Sequence, residues 1–292
     1  DWGVNFGRQI ARLREESSWV AVNPDLENML LESGDIIGLK GIEPPLRLAI
    51  LPYISTYAEQ FQNSDNSKGY LKSFNGGMDI KYGLNEAFTL DLTLVPDFGQ
   101  VVYDQQVLNL TPFEVQFNEN RQFFTGGMEL FNKAGIFYSR RIGIQTPSKV
   151  SQTLLKEGEY LENGPGASQL YNASKISGRN KNGLGIGVFN AINAAQYGTA
   201  VSTLDQSKRE VLTSPLTNYN VMVFDQNLKN NSSVTFTNTN VWRAGTFYDA
   251  NVTALNVNIN TADNNYNFNA KGILSAQLDA QNTLGHNLNL NL

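Results

Sequence analysis

Hydrophobic and polar positions alternate with a period of two along much of the second half of the chain. Leu255, Val257 and Ile259 alternate with Asn256, Asn258 and Asn260; Tyr266, Phe268 and Ala270 alternate with Asn265, Asn267 and Asn269. Such alternation marks strands whose two faces see different surroundings. Asp263 and Asn264, between the two runs, are hairpin-turn residues. Leu184, Ile186 and Val188 alternate with glycines, and Trp242, Ala244, Thr246 and Tyr248 share one face. Another strand is expected over 219–224, closed by Asp225-Gln226-Asn227, with others over 88–95, 113–117 and 136–140. The expected fold is all-β, an antiparallel meander of about ten to twelve strands.

Two environments produce this pattern: a sandwich with one face in water, or a barrel with one face in lipid and the other in a wet lumen. Composition tips the balance. Asparagine occurs 36 times, 19 of them from Asn218 onward, although it is depleted in ordinary strands. Inward-facing amides hydrogen-bond one another and water without crowding like charges, which suits a confined polar interior. The pattern therefore favours a transmembrane β-barrel. The uncharged stretch from Asn182 to Leu204 is broken by Gly183, Gly185, Gly187 and Gly198, so it is not read as a spanning helix.

A formal charge of −5 argues against nucleic acid as a partner. Cysteine is absent and His286 is the single histidine, so no thiolate chemistry, metal site or cofactor is expected. The glycine pairs and triplets lack the spacing of phosphate loops.

The N-terminal third differs. Arg8, Arg12, Arg14, Glu15 and Glu16 concentrate charge, and Pro24 to Leu31 reads as a short helix or loop. Pro44, Pro45 and Pro52 confine the following piece to edge strand or irregular backbone. Residues 1–60 are expected to form an entry strand and a plug or loop segment, and residues 61–292 the barrel strands with long loops. The chain starts without Met and stops within an alternating run at Leu288-Asn289-Leu290-Asn291-Leu292, so a fragment of a longer protein and a partial barrel are expected.

Several motifs resemble one family. They are Trp2-Gly3-Val4-Asn5-Phe6 with Arg8, Arg14-Glu15-Glu16 and Trp19; Gly41-Ile42-Glu43-Pro44-Pro45 with Leu51-Pro52-Tyr53; Asp79-Ile80-Lys81-Tyr82-Gly83-Leu84; and Leu90-Asp91-Leu92-Thr93-Leu94. Then come Pro96-Asp97-Phe98-Gly99-Gln100-Val101, Asn109-Leu110-Thr111-Pro112-Phe113-Glu114, Arg121-Gln122-Phe123-Phe124 and Ile136-Phe137-Tyr138-Ser139-Arg140-Arg141-Ile142-Gly143. In order and spacing these are similar to the outer-membrane group of Bacteroidota known as carbohydrate-binding-family-9-domain-containing proteins, which carry a C-terminal domain of unknown function 5916. The resemblance covers residues 1 to about 143. It implies an outer-membrane barrel preceded by a carbohydrate-binding-like sandwich, and it carries no catalytic residue onto this chain. Asn118-Glu119-Asn120-Arg121-Gln122 departs from a Pro-Glu-Lys-Arg-Pro run in that group, leaving the role of this turn open.

Candidate chemistry is sparse. Asp79, Asp91, Asp97, Glu114 and Glu119 invite an acid/base reading, but Asp79, Lys81, Asp91 and Thr93 sit among apolar strand residues, as lumen-facing groups would. The candidate binding residues, facing a lumen or a glycan, are Arg14, Glu15, Asp97, Arg121, Arg140 and Arg141. On a strand, alternation would place Arg140 and Arg141 on opposite faces. The Arg12 to Glu16 cluster fits a barrel interior or a solvated loop equally. Trp19, Tyr219, Trp242 and Tyr248 are expected as interface aromatics, with stacking on sugars as the alternative.

The expected function is non-catalytic: envelope glycan binding or passage at the bacterial outer membrane, with lipid or lipopolysaccharide, a glycan and envelope proteins as partners. The first alternative is a scaffold that anchors a surface domain or docks an envelope complex; the second is a soluble carbohydrate-active β-sandwich enzyme. A segment folded inside the barrel would favour scaffold or gated use; an open pore would favour transit.

Overall fold

The computed structural model describes residues 2–20, 33–38, 46–62, 68–97, 108, 115–143, 155–162, 168–262 and 265–292. Pro24 to Leu31, Gly41 to Pro45, Phe98 to Val101, Asn109 to Glu114 and the Asp263-Asn264 turn lie outside the described residues. The chain divides into two compact units, residues 1–46 and 47–292. The first strand of the larger unit opens at Leu48, within the range 1–60 expected as entry strand and plug or loop segment.

In the smaller unit β1 (Trp2–Val4) pairs with β4 (Gly34–Ile36), and β2 (Gly7–Ile10) with β3 (Glu15–Ser18). Arg14 ends the β2–β3 turn at a left-handed φ of 54°.

The larger unit is all-β and antiparallel. Its elements are β5 (Leu48–Gln62), β6 (Lys68–Gly83), β7 (Phe88–Leu94), β8 (Glu159–Leu161), β9 (Leu170–Arg179), β10 (Leu184–Asn193), β11 (Gln196–Ser202), β12 (Lys208–Ser214), β13 (Thr217–Asn227), β14 (Ser233–Arg243), β15 (Asp249–Asn260), β16 (Asn267–Leu278) and β17 (Thr283–Asn291). Ten of them form one sheet in the order β17-β16-β15-β14-β13-β10-β9-β7-β6-β5, while β12-β11-β8 make a small separate sheet. Among the described residues β5 and β17 are the two edges of the large sheet, so it is open rather than closed. Pro52 falls on the edge strand β5, where a missing N–H is tolerated.

Asparagine also shapes the turns. Asn85 Oδ1 accepts from the amides of Ala87 and Phe88 at 2.8 and 2.9 Å, and Asn180 Oδ1 from those of Asn182 and Leu184 at 2.9 and 3.0 Å. Asn230 and Asn231 adopt φ of 55° and 53° between β13 and β14, a conformation that asparagine accepts readily.

Three expected features differ. β13 runs through Asp225-Gln226-Asn227 instead of closing there. β14 ends at Arg243, and the chain turns at Gly245 with φ 88°, so Ala244, Thr246 and Tyr248 do not extend that strand. Val115 to Phe117 and Ile136 to Tyr138 are irregular, and Ser139–Arg141 is a 3-10 turn. Phe137 packs against Phe131 and Phe189, and the Tyr138 hydroxyl bonds the Phe117 backbone, demands that strand-like composition does not distinguish from sheet pairing.

Candidate functional site

The sheet register sorts the strand residues onto two faces. One face carries Asp79, Lys81, Asp91, Thr93, Lys175, Arg179, Phe189, Val221, Val223, Asp225, Thr235 and Thr237; the segment 115–143 packs on it. On this covered face α1 (Gln122–Thr125) and α2 (Glu129–Asn132) place Phe124, Leu130 and Phe131 against Phe189, Ala191, Val221 and Val223. The ring centroids of Phe131 and Phe189 lie 6.2 Å apart, edge to face. Phe131 is fully buried although its helix has only four residues. An isolated helix that short has no stability of its own, so burial of its aromatic residues holds it in place.

Charges pin the same segment. Asp225, fully buried, accepts from Lys133 of the segment at 2.7 Å, from Arg179 and from Thr235 Oγ1 at 2.6 Å. Lys175, 2% exposed, donates to the carbonyls of Phe123 and Gly126, lies 4.6 Å from the Phe123 ring centroid and stands 3.8 Å from Asp91. Asp91 in turn pairs with Lys81 at 3.5 Å. A cleft of about 130 Å³ opens here beside Asp79, Lys81, Asp91 and Gln122. The carboxylate that sequence offered as an acid/base candidate, Asp91, is therefore an ion-pair partner of two lysines.

Arg121 organises the segment internally. Its guanidinium makes a two-pronged contact with Glu119, at 2.8 Å from Nε and 2.7 Å from Nη2, and donates to the carbonyls of Ile142 and Ser139 at 2.6 and 2.8 Å. Ser139 Oγ adds a hydrogen bond to Glu119 at 2.7 Å. Burial pushes the Glu119 carboxyl up, but the hydrogen bonds from Arg121 and Ser139 outweigh it and hold the group below its ordinary value. The turn whose role was open is thus a structural knot.

The other expected site residues scatter. Arg14 and Glu15 are exposed at the β2–β3 turn, and Trp19 is 65% exposed beside Phe6, at 5.8 Å between centroids. Asp97 accepts from Ser55 and, at 2.6 Å, from Tyr57 of the edge strand. Arg140 and Arg141 follow one another on the 3-10 turn rather than on opposite faces of a strand; Arg141 lies 5.9 Å from the Tyr138 ring centroid. Tyr219, expected as an interface aromatic, faces the covered side and packs against the aromatic cluster, because its register partner Ala191 does the same. Trp242 is on the opposite, open face, and Tyr248 lies in the turn with Arg243 over its ring at 4.4 Å.

Sequence reasoning missed Lys175, Asp225, Lys133 and Arg179. A lysine inside a strand, between Ser174 and Ile176, was the available signal: a buried charge needs a partner.

Asparagine divides between the faces. Asn256, Asn258, Asn267 and Asn269 share the covered side, as an inward-facing amide lining requires. Asn190, Asn218, Asn220, Asn238, Asn240 and Asn251 lie on the open side, on the same face as Met222 and Phe224, contrary to the expected inward lining.

No curated protein and no solved structure matches the chain. A family model matches residues 44–292, the whole ten-stranded sheet together with the covering segment, and the chain belongs to that family, the domain of unknown function DUF5916.

Proposed function

We propose that the ten-stranded sheet is the wall of an outer-membrane β-barrel filled by the segment 115–143, and that it works as a sealed membrane anchor or docking scaffold of the cell envelope. One observation carries this reading: buried charges of one sheet face are tied to a folded segment, while the opposite face presents apolar side chains. Ile50, Ile54, Phe74, Val188, Phe224, Phe236, Leu255 and Leu288 are all 36% exposed or more on that open face. Such a division matches lipid outside and a polar interior. Unpaired strand edges are not tolerated in lipid, so the reading requires the backbones of β5 and β17 to find partners.

In the arrangement of the Bacteroidota group, the barrel would hold a carbohydrate-binding-like sandwich at the envelope. Open glycan passage is disfavoured by the four phenylalanines Phe123, Phe124, Phe131 and Phe137 packed on the covered face. A carboxylate-pair enzyme is disfavoured by the pairing of Asp91 with Lys81 and Lys175. The test is native extraction followed by gel migration with and without boiling, then conductance in a planar bilayer. Detergent-dependent extraction, a faster folded band and a silent bilayer are expected. A freely soluble protein without a migration shift sinks the membrane reading; a steady ohmic conductance sinks the sealed one.

A further inference from the structure

The open face is not uniformly apolar. One row crosses five neighbouring strands in register: Ser174, Asn190, Asn220, Asn240 and Asn251. At about 4.8 Å per strand the row is roughly 19 Å long. Its amides are bonded sideways. Asn190 Nδ2 donates to Asn218 Oδ1 at 2.6 Å and Asn220 Oδ1 at 2.8 Å, Asn240 Nδ2 to Asn238 Oδ1 at 2.7 Å, Asn251 Nδ2 to Asn240 Oδ1, and Asn238 Nδ2 to Thr253 Oγ1 at 2.7 Å. Asn190, Asn238 and Asn251 each direct Nδ2 to two or more of these neighbours, so the lateral bonds orient the carboxamides, and a carboxamide oxygen, with two acceptor positions, can take a hydroxyl proton beside a lateral bond.

Three features identify what fits there. The row contains no charged side chain; Asp249, beyond its end, accepts from the Arg243 amide at 2.7 Å. Immediately along the same strands lie Val188, Met222, Phe224, Phe236 and Leu255, so the polar row continues without a break into the surface read above as lipid-facing. Trp242, 52% exposed, stands in register with Asn218 on the same face and offers a flat ring to a sugar. Uncharged hydroxyl groups match uncharged amides, and an acyl chain matches the adjoining apolar strip.

We infer that this amide row is a binding site for the neutral saccharide headgroup of a glycolipid, whose acyl chains lie on the apolar strip beside it. The inference rests on the membrane reading and moves glycan recognition from the barrel interior to its outer wall. A phosphate-bearing headgroup lacks a countercharge in the row.

The test uses the full-length protein in phosphatidylcholine nanodiscs doped with diglucosyl diacylglycerol, with native mass spectrometry reading the lipid retained. Enrichment of the glycolipid over phosphatidylglycerol of the same acyl chains is expected. The Asn220→Leu/Asn240→Leu double variant should cut retention about tenfold through lost hydrogen bonds, and Trp242→Ala about fivefold through lost stacking. Asn256→Leu, on the covered face, should leave it unchanged. Correct insertion without glycolipid enrichment overturns the site, as does full retention by both the double variant and Trp242→Ala when they migrate as folded protein. Failure to insert overturns the membrane reading itself, and the site with it.

Discussion

The Phe131 ring stands on Gly187: a Cβ built on that glycine would meet ring carbons at 3.0 and 3.1 Å. Gly185 has the same relation to Leu130, whose Cδ2 would lie 2.8 Å from an added Cβ. The glycines that alternate with Leu184, Ile186 and Val188 therefore leave the space that α2 occupies. Gly187→Val should force this contact apart and cost about 1–3 kcal/mol, while Phe131→Ala should cost about 3–5 kcal/mol through the cavity it leaves. Denaturant midpoints of the refolded protein measure both.

Asp225 anchors the segment to the sheet. Asp225→Ala strands Lys133 and Arg179, which are about one-third exposed, so the loss should fall near the lower end of the roughly 3–5 kcal/mol seen for broken buried pairs. Lys133→Met should cost less, since Arg179 and Thr235 still satisfy the carboxylate. Proteolytic cleavage between residues 126 and 138 should accelerate in the first variant and change little in the second.

Glu159 of β8 is held down to about 2 by the hydrogen bonds from Arg209, at 2.8 and 2.6 Å, and by the Lys156 amide. A folded value below the ordinary 4.5 means that the contribution is complete above that pH and disappears as pH falls toward about 2. Hydrogen-exchange protection in the β12-β11-β8 sheet, taken relative to the intrinsic rate at each pH, should fall over that window. Glu159→Gln should show the reduced protection already at pH 6.

The covering segment should decide permeability. Replacing residues 122–142 with a Gly-Ser linker should turn a silent bilayer recording into a conducting one, with the folded gel band retained. Continued silence with a folded band would show that other residues seal the interior.

Strand positions were legible because alternation is local: Leu255 to Ile259 and Phe268 to Ala270 disclose a period of two without reference to any neighbour. The edge placement of Pro52 was legible for the same reason, as proline removes a ladder donor wherever the chain runs. The site residues were less so. Arg121 resembled a binding arginine, yet its hydrogen-bonding directions are taken by Glu119 and by carbonyls about 20 residues downstream, contacts that no spacing announces.

By itself the sequence determined an all-β chain of alternating strands, poor in charge and rich in amides. Only the tertiary structure decided which alternating set faces which side, because a period of two has no sign until a neighbour occupies one face. Segment 115–143 supplies that neighbour by burying Phe131 against Phe189 and drawing Lys133 to Asp225. Those contacts put Tyr219 on the covered face of the sheet and the Asn190–Asn220–Asn240 row on the open one.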